Sequence, residues 1–326
     1  NTGGGYWTNS PVIANIDGGI DKEIIYSREG SGNPCSSDFG LGIYKQNGSA
    51  LPGWPKNTCF VPIIPVVGDI DADGDTEIVT ISWNQTAFII NVFNHDGTPY
   101  PGWNKTLPFQ PTGLVLADLD RNDNGQLEIY VSGSNVYSYI PNPSTYGYQI
   151  LNHDGSLIYQ VSYPMRPNRD QGTEAASVGD IDNDGFLEVV NWLGNCLQVV
   201  KFNGSSASGW PVCISEEGDS NGGISTIIVD IDGDGSKEII GVGTELVYGF
   251  TRTGSQLQGF PKPLNDLVWF PGRGPVAGDI TGDGLIDIFV AGTNGNLNLW
   301  TFPGRANSTN LVWPQFQKDA QNTGKY

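Results

Sequence analysis

Apolar residues fall in short runs along the whole chain, and many runs end in a cluster of aspartate and glycine. In order the sequence reads PVIANIDGGIDKEII from residue 11, VVGDIDADGDTEIV from 66, VLADLDRNDNGQLEIY from 115, SVGDIDNDGFLEVV from 177, IVDIDGDGSKEII from 228 and VAGDITGDGLIDIFV from 276. A β-type run (Val66-Val67-Gly68, Val276-Ala277-Gly278) enters each Asp-x-Asp-x-Asp-Gly loop. A β-branched run (Glu77-Ile78-Val79, Glu188-Val189-Val190) leaves it. This pattern predicts two strands joined by an acidic loop, six times over. The anchors Asn15, Asp69, Asp118, Asp180, Asp230 and Asp279 are separated by 54, 49, 62, 50 and 49 residues. A period of that kind marks a repeat architecture in which each copy is one supersecondary unit.

A second element recurs between the acidic loops. IYKQNGSALPGWP from 43, NVFNHDGTPYPGW from 91, QILNHDGSLIYQVSYP from 149, QVVKFNGSSASGWP from 198 and YGFTRTGSQLQGFP from 248 are short strands ending in polar turns, most followed by an aromatic–proline segment. The sixth unit supplies LNLWTFPG from 297 and then Val312-Trp313-Pro314. Each unit therefore holds four short antiparallel strands in roughly 50 residues, the content of one propeller blade. Radial repetition buries both faces of such sheets and leaves only short edges. The expected fold is all-β, a β-propeller of six four-stranded blades (seven is the alternative) forming a single domain over residues 1–326. The termini are expected to meet and close the ring within one blade.

The loops carry hard-oxygen ligands. Positions 1, 3 and 5 supply carboxylates, glycine at 6 permits a sharp turn, position 7 offers a backbone carbonyl and position 9 a further carboxylate, a set suited to calcium. Strands flank the loop, and position 12 is Thr80, Asn191, Gly241 or Val290 rather than glutamate, so this is not an EF-hand. Asp-Gly clusters also make plain turns, but acids at the same offsets in copy after copy favour ligation. The second copy offers Asp69, Asp71, Asp73, Asp75 and Glu77. The third, two residues longer, offers Asp120, Asn122, Asn124, Gln126 and Glu128, with Asp118 at the strand end. The fourth offers Asp180, Asp182, Asp184, Phe186 and Glu188, and the fifth Asp230, Asp232, Asp234, Ser236 and Glu238. The sixth offers Asp279, Thr281, Asp283, Leu285 and Asp287. The first (Asn15, Asp17, Asp21, Glu23) has Gly19 where a carboxylate belongs and is expected to be weak or empty. About five structural calcium ions are expected.

Charge fits this reading. Sixteen Lys and Arg face 35 Asp and Glu, a net charge of −19, and 23 of those acids lie in the six loops. Five divalent ions would bring −19 to −9. The same balance excludes a nucleic-acid partner, which needs basic patches. With 45 Gly, 21 Pro, 11% aromatic and only 16% charged residues, the composition excludes helical bundles, coiled coils and disorder. No apolar stretch approaches the length of a membrane-spanning helix. The opening Asn-Thr-Gly, with no Met, basic segment or apolar run, reads as a processed chain or an excised fragment.

The repeated loops resemble FG-GAP/VCBS repeats, the calcium-loop blades of integrin α-subunit heads, some fungal lectins and many secreted microbial proteins. The closing WPQFQKDAQNTGKY resembles the final segment of secreted members of that group. The resemblance covers essentially the whole chain and implies a calcium-binding propeller, whereas function is not implied because propellers host many activities. Integrin heads and the fungal lectins of this type have seven blades, against six units here.

Four cysteines bracket the same element in two different units, suggesting local disulfides Cys35–Cys59 and Cys196–Cys213. Sequons at Asn47, Asn84, Asn104, Asn203 and Asn307 fall in turns and loops, as N-glycosylation requires. These features indicate a secreted or cell-surface glycoprotein. No catalytic residue is assigned, since the only histidines, His95 and His153, occupy equivalent Asn-His-Asp-Gly turns. The repeated Trp54, Trp103, Trp210 and Trp313, with Phe260 as a variant, read as packing residues. Trp83, Tyr137, Tyr139, Tyr146, Tyr148, Trp192 and Trp269 lie outside the blade template and are the candidates for contacting a ligand. The expected function is recognition of a glycan or an extracellular protein. The alternative is a structural, self-assembling coat or filament component, and a polysaccharide lyase comes third.

Overall fold

The computed structural model describes residues 11–28, 40–56, 65–83, 86–122, 124–133, 145–164, 176–214, 225–265, 268, 274–315, 318–319 and 324–326. These residues form strands and no helix, arranged in six antiparallel sheets. The first holds β1 (Val12–Ala14), β2 (Glu23–Arg28) and β3 (Gly40–Tyr44). The second holds β4 (Val66–Gly68), β5 (Glu77–Trp83), β6 (Phe88–Phe93) and β7 (Lys105–Leu107). The third holds β8 (Pro111–Ala117), β9 (Glu128–Gly133), β10 (Thr145–Leu151) and β11 (Leu157–Pro164). The fourth holds β12 (Ser177–Gly179), β13 (Glu188–Leu193), β14 (Cys196–Val200) and β15 (Val212–Cys213). In the fifth are β16 (Ser225–Val229), β17 (Glu238–Val242), β18 (Leu246–Phe250) and β19 (Lys262–Pro263). The sixth holds β20 (Val276–Gly278), β21 (Leu285–Ala291) and β22 (Leu297–Arg305).

Each sheet is a meander, because every acidic loop joins its first two strands and a polar turn follows the third. The second strands β9, β13 and β17 are buried along their whole length. A strand covered on both faces reads as a continuous apolar run rather than an alternation, which is how Ile129-Tyr130-Val131 and Ile239-Ile240-Gly241-Val242 read.

Neighbouring sheets are joined by the aromatic–proline segments. The indole N–H of Trp54 donates to the His95 carbonyl at 3.1 Å, Trp103 to His153 at 2.7 Å and Trp210 to Arg252 at 3.0 Å. Each bond runs from one sheet to the third-strand turn of the next. In the fifth sheet Phe260 instead stacks on Phe302 of the sixth, with ring centres 5.8 Å apart. The glycine before each tryptophan lets this contact close. A Cβ at Gly53 would lie 2.0 Å from the Asp96 carbonyl oxygen, and one at Gly209 2.0 Å from that of Thr253. His95 and His153 therefore serve the fold through their backbones.

The C-terminal segment departs from expectation. Val312-Trp313-Pro314 does not complete the sixth sheet. Instead β23 (Leu311–Trp313) pairs with β16, giving the fifth sheet five strands and leaving the sixth with three. The Pro314 carbonyl then accepts from Ala277 N–H at 2.7 Å, and Leu116 exchanges backbone bonds with Gly324 and Tyr326 at 2.9 and 3.0 Å. Val312 lies against Gly179, and Lys325 against Gly68. One segment thus touches the first strands of the second to sixth sheets. Trp313, 1% exposed, sits in the largest apolar cluster, with residues of the third, fourth and fifth sheets. The first sheet is likewise three-stranded, and Lys56 bridges to Leu41 where a fourth strand would lie.

Candidate metal centres in the acidic loops

All six loops share one device. The acid at the start of the second strand (its first residue in five sheets, its third in the sixth) is buried, and one of its oxygens accepts the backbone N–H of the residue after the anchor. The pairs are Ile16 to Glu23 (2.8 Å), Ile70 to Glu77 (3.0 Å), Leu119 to Glu128 (2.8 Å), Ile181 to Glu188 (2.9 Å), Ile231 to Glu238 (3.0 Å) and Ile280 to Asp287 (2.9 Å). The third loop follows this rule from Asp118, so its two extra residues are accommodated further along and Asp118 takes the anchor role.

The rest of the loop is wound by its own carboxylates. The glycine at position 6 donates to the anchor aspartate: Gly74 to Asp69 (3.0 Å), Gly185 to Asp180 (3.1 Å), Gly235 to Asp230 (3.0 Å) and Gly284 to Asp279 (2.9 Å). Position 7 donates to position 5, as Asp75 to Asp73 (2.8 Å), Gln126 to Asn124 (2.8 Å), Phe186 to Asp184 (2.9 Å), Ser236 to Asp234 (2.6 Å) and Leu285 to Asp283 (2.9 Å). These backbone bonds hold the acids convergent.

Four loops bring ligand oxygens within 4.8 Å of one another: Asp69, Asp71 and Glu77; Asp118, Asp120 and Glu128; Asp180, Asp182 and Glu188; and Asp230, Asp232 and Asp234. Such clusters can hold a metal ion. Two observations support the fit. In the third loop Asp118 Oδ1 is buried with no hydrogen-bond partner, and a buried carboxylate oxygen demands one. Burial also pushes Glu77, Glu128 and Glu188 up to about 7 and Glu238 to about 8, and the neighbouring loop carboxylates push the same way. A bound cation would remove both penalties.

The first and sixth loops differ. Asp17 is held by Lys45 at 2.9 Å, and Asn15 donates to the Gly19 carbonyl at 2.6 Å. Asp21 is exposed. In the sixth, Asp287 accepts from Ile280 and Thr281 through one oxygen and from the Thr301 hydroxyl (2.6 Å) through the other. That hydroxyl chiefly holds its carboxyl below the usual range. Both oxygens are satisfied by the protein, so Thr281 and Asp283 face a loop whose deepest acid is already spent.

The aromatic candidates separate. Trp192 (1% exposed) and Tyr148 (3%) are core residues, the latter stacked between Tyr130 and Tyr159, so neither offers a face to a ligand. Trp83 is half-buried against Phe88, and Tyr146 pairs with the more exposed Tyr163. Tyr137, Tyr139 and Trp269 lie outside the described residues. A different feature escaped the sequence reading. A groove of about 480 Å³ lies between β19 and β22, lined by Lys262, Asn265, Leu297, Asn298, Leu299 and Trp300 among others. Lys262 Nζ lies 5.2 Å from the Phe260 ring centre, 5.6 Å from Phe302 and 6.0 Å from Trp300. Trp300 occupies an ordinary strand position, so nothing in the pattern marks it.

Cys196 and Cys213 are bonded across β14 and β15, as expected. Cys35 and Cys59 lie outside the described residues, as does Asn84. Asn47, Asn104, Asn203 and Asn307 are exposed on turns and loops. No helix among the described residues is long and apolar enough to cross a membrane.

No protein-family model matches the chain, and no curated protein matches it. Solved structures do. The Dos1 propeller shares 9% identity over 92% of this chain and 68% of its own, with a TM-score of 0.57. BBS1N in complex with ARL6DN shares 13% over 90% and 78%, at 0.54. The Bacillus licheniformis rhamnogalacturonan lyase PL11 shares 17% over 94% and 68%, at 0.50. At these identities the likeness is one of fold alone, and the fold is that of a β-propeller.

Proposed function

We propose that the chain is a secreted six-bladed propeller of FG-GAP/VCBS type whose loops hold calcium for structure and whose surface recognises a glycan. Calcium suits the all-oxygen clusters. It fits best in the second, third and fifth loops, where no lysine or threonine on or just after the third strand reaches the acids. The observation that carries recognition is the groove beside Trp300. It offers an aromatic face, the apolar Leu297 and Leu299, and the Lys262 ammonium, on a floor braced by the Asn265 amide donating to Asn298 at 3.1 Å. Its lining is more polar than apolar, with one aromatic face, which suits a hydroxyl-rich sugar better than an apolar ligand. The lyases among the structural neighbours share the fold with this chain, and this reading takes no catalytic residue from them.

A second reading rests on β22, which no strand covers on its outer side among the described residues. Leu297 is 66% and Leu299 43% exposed there. An open, apolar edge strand can pair with another copy, as a coat or filament component would need.

A glycan array in millimolar calcium separates the readings. Selective binding is expected, and Trp300→Ala is expected to weaken it at least about tenfold, the scale of a lost stacking contact. A blank array with calcium-dependent assembly into polymers would overturn recognition in favour of the second reading. Release of unsaturated sugars from acidic polysaccharide would overturn both.

A further inference from the structure

One position on or just after the third strand recurs in every sheet, opposite the buried acid. It is Lys45, Asn94, Asn152, Lys201, Thr251 and Thr301 in turn. In three sheets this residue bonds within its own turn. Asn94 donates to Thr98 at 2.8 Å, Asn152 to Ser156 at 2.9 Å, and Thr251 Oγ1 lies 3.2 Å from Thr253 Oγ1. Among the described residues no lysine or arginine pairs with the acids of those loops, although Tyr100 donates its neutral hydroxyl to Asp71 at 2.8 Å and His95 Nδ1 lies 3.5 Å from Asp75 Oδ2 at the loop's outer side.

The fourth loop is different. The register Val189 opposite Val200 brings Lys201 beside Glu188. Its ammonium lies 2.8 Å from Asp182 Oδ2, 2.6 Å from Asp184 Oδ2 and 3.9 Å from Glu188 Oε1. Three carboxylates of one loop thus converge on a single cation. Resting on the calcium reading above, we infer that Lys201 is the resident cation of the fourth loop, holding the place that calcium takes in the second, third and fifth.

The physics favours the lysine over the ion. Charge-assisted bonds to two carboxylates are strong ones. A tethered ammonium also competes at an effective concentration in the millimolar range or above. Calcium sites of extracellular modules have Kd of about 10⁻⁴–10⁻³ M. An ion entering the fourth loop must therefore displace a partner already held there, and its apparent affinity falls by the fraction of time the site is open. Lys45 makes the equivalent contact with Asp17 in the first loop, which supplies by a side chain part of what Gly19 does not. The sequence carries six copies of the loop, but the neighbouring strand decides which of them need a metal.

The test is a calcium-edge anomalous map of the whole chain, grown in millimolar calcium, with calcium bound in solution counted by titration. In the wild type, ions are expected in the second, third and fifth loops and none in the fourth. Lys201→Gln is expected to gain one ion, at Asp182 and Glu188. In chelator this variant should melt below the wild type, and calcium should close that gap, a rescue that simple loss of packing would not show. An ion in the wild-type fourth loop with Lys201 turned away would overturn the inference. So would an unchanged ion count in the variant. Should Lys201→Gln fail to fold, the wild-type map decides alone. Empty second, third and fifth loops would instead overturn the calcium reading itself, a result distinct from a filled fourth loop.

Discussion

Deleting residues 311–326 is expected to abolish cooperative folding, and Trp313→Ala alone to lower stability by about 3–5 kcal/mol, the usual loss for a large buried aromatic. Trp313 is 1% exposed, opposite Ile228 in the pairing of β23 with β16. It packs among side chains from three sheets, so its removal leaves a cavity that no single sheet can collapse into. Deletion also strips backbone partners from Ala277 and Leu116, whose N–H groups bond the tail at 2.7 and 2.9 Å. Unpaired buried backbone groups are costly. Urea unfolding of the full chain and of Trp313→Ala measures the effect. An unfolding midpoint unchanged by Trp313→Ala would show that the tail merely rests on the sheets.

Metal-free protein is expected to become less stable as pH rises from about 4.5 to about 8. Glu77, Glu128 and Glu188 stand at about 7 in the folded chain and Glu238 at about 8, against an ordinary value of 4.5. A carboxyl raised on folding binds protons more tightly in the native state, so its stabilisation is present below pH 4.5 and is lost as pH climbs through the folded value. Most proteins with paired carboxylates show the opposite slope over the lower part of this range. Calcium should reverse the trend, because the ion takes the place of the proton and binds only the deprotonated acids. Chemical denaturation of chelated, dialysed protein at pH 5 and pH 8 checks the sign, and equal stabilities would refute it.

Much of this was legible in the sequence because it is local. The acids at fixed offsets, the glycine at position 6 and the β-branched exit strand all act within one hairpin. Their order along the chain is their order in space, and the aromatic–proline segments announced themselves by recurrence. What failed was non-local. Leu311-Val312-Trp313 has the composition of any short strand, and nothing in three residues records that its partner is β16 rather than its own sheet. Trp192 and Tyr148 depart from the repeat template, which marks them in the sequence as ligand candidates, yet their strand faces turn into the core. Lys201 reads as a polar residue before an Asn-Gly turn. Only the register with Glu188 shows that its side chain lies over the acids. Trp300 gains its role from Lys262 and Asn265, contributed by the preceding unit.

The central claim is that these loops hold calcium and that the fold depends on it. A ligand that binds only the folded state stabilises by about 1.4 kcal/mol per site at ten times its Kd. Three filled loops then supply about 4 kcal/mol, which for a domain of this size raises Tm by roughly 5–10 °C. The direct measurement is the melting curve of metal-free protein at pH 8, repeated after adding millimolar calcium. The account predicts a rise of that order, saturating in the millimolar range and absent with equimolar sodium sulfate. An identical melting curve with and without calcium would contradict it.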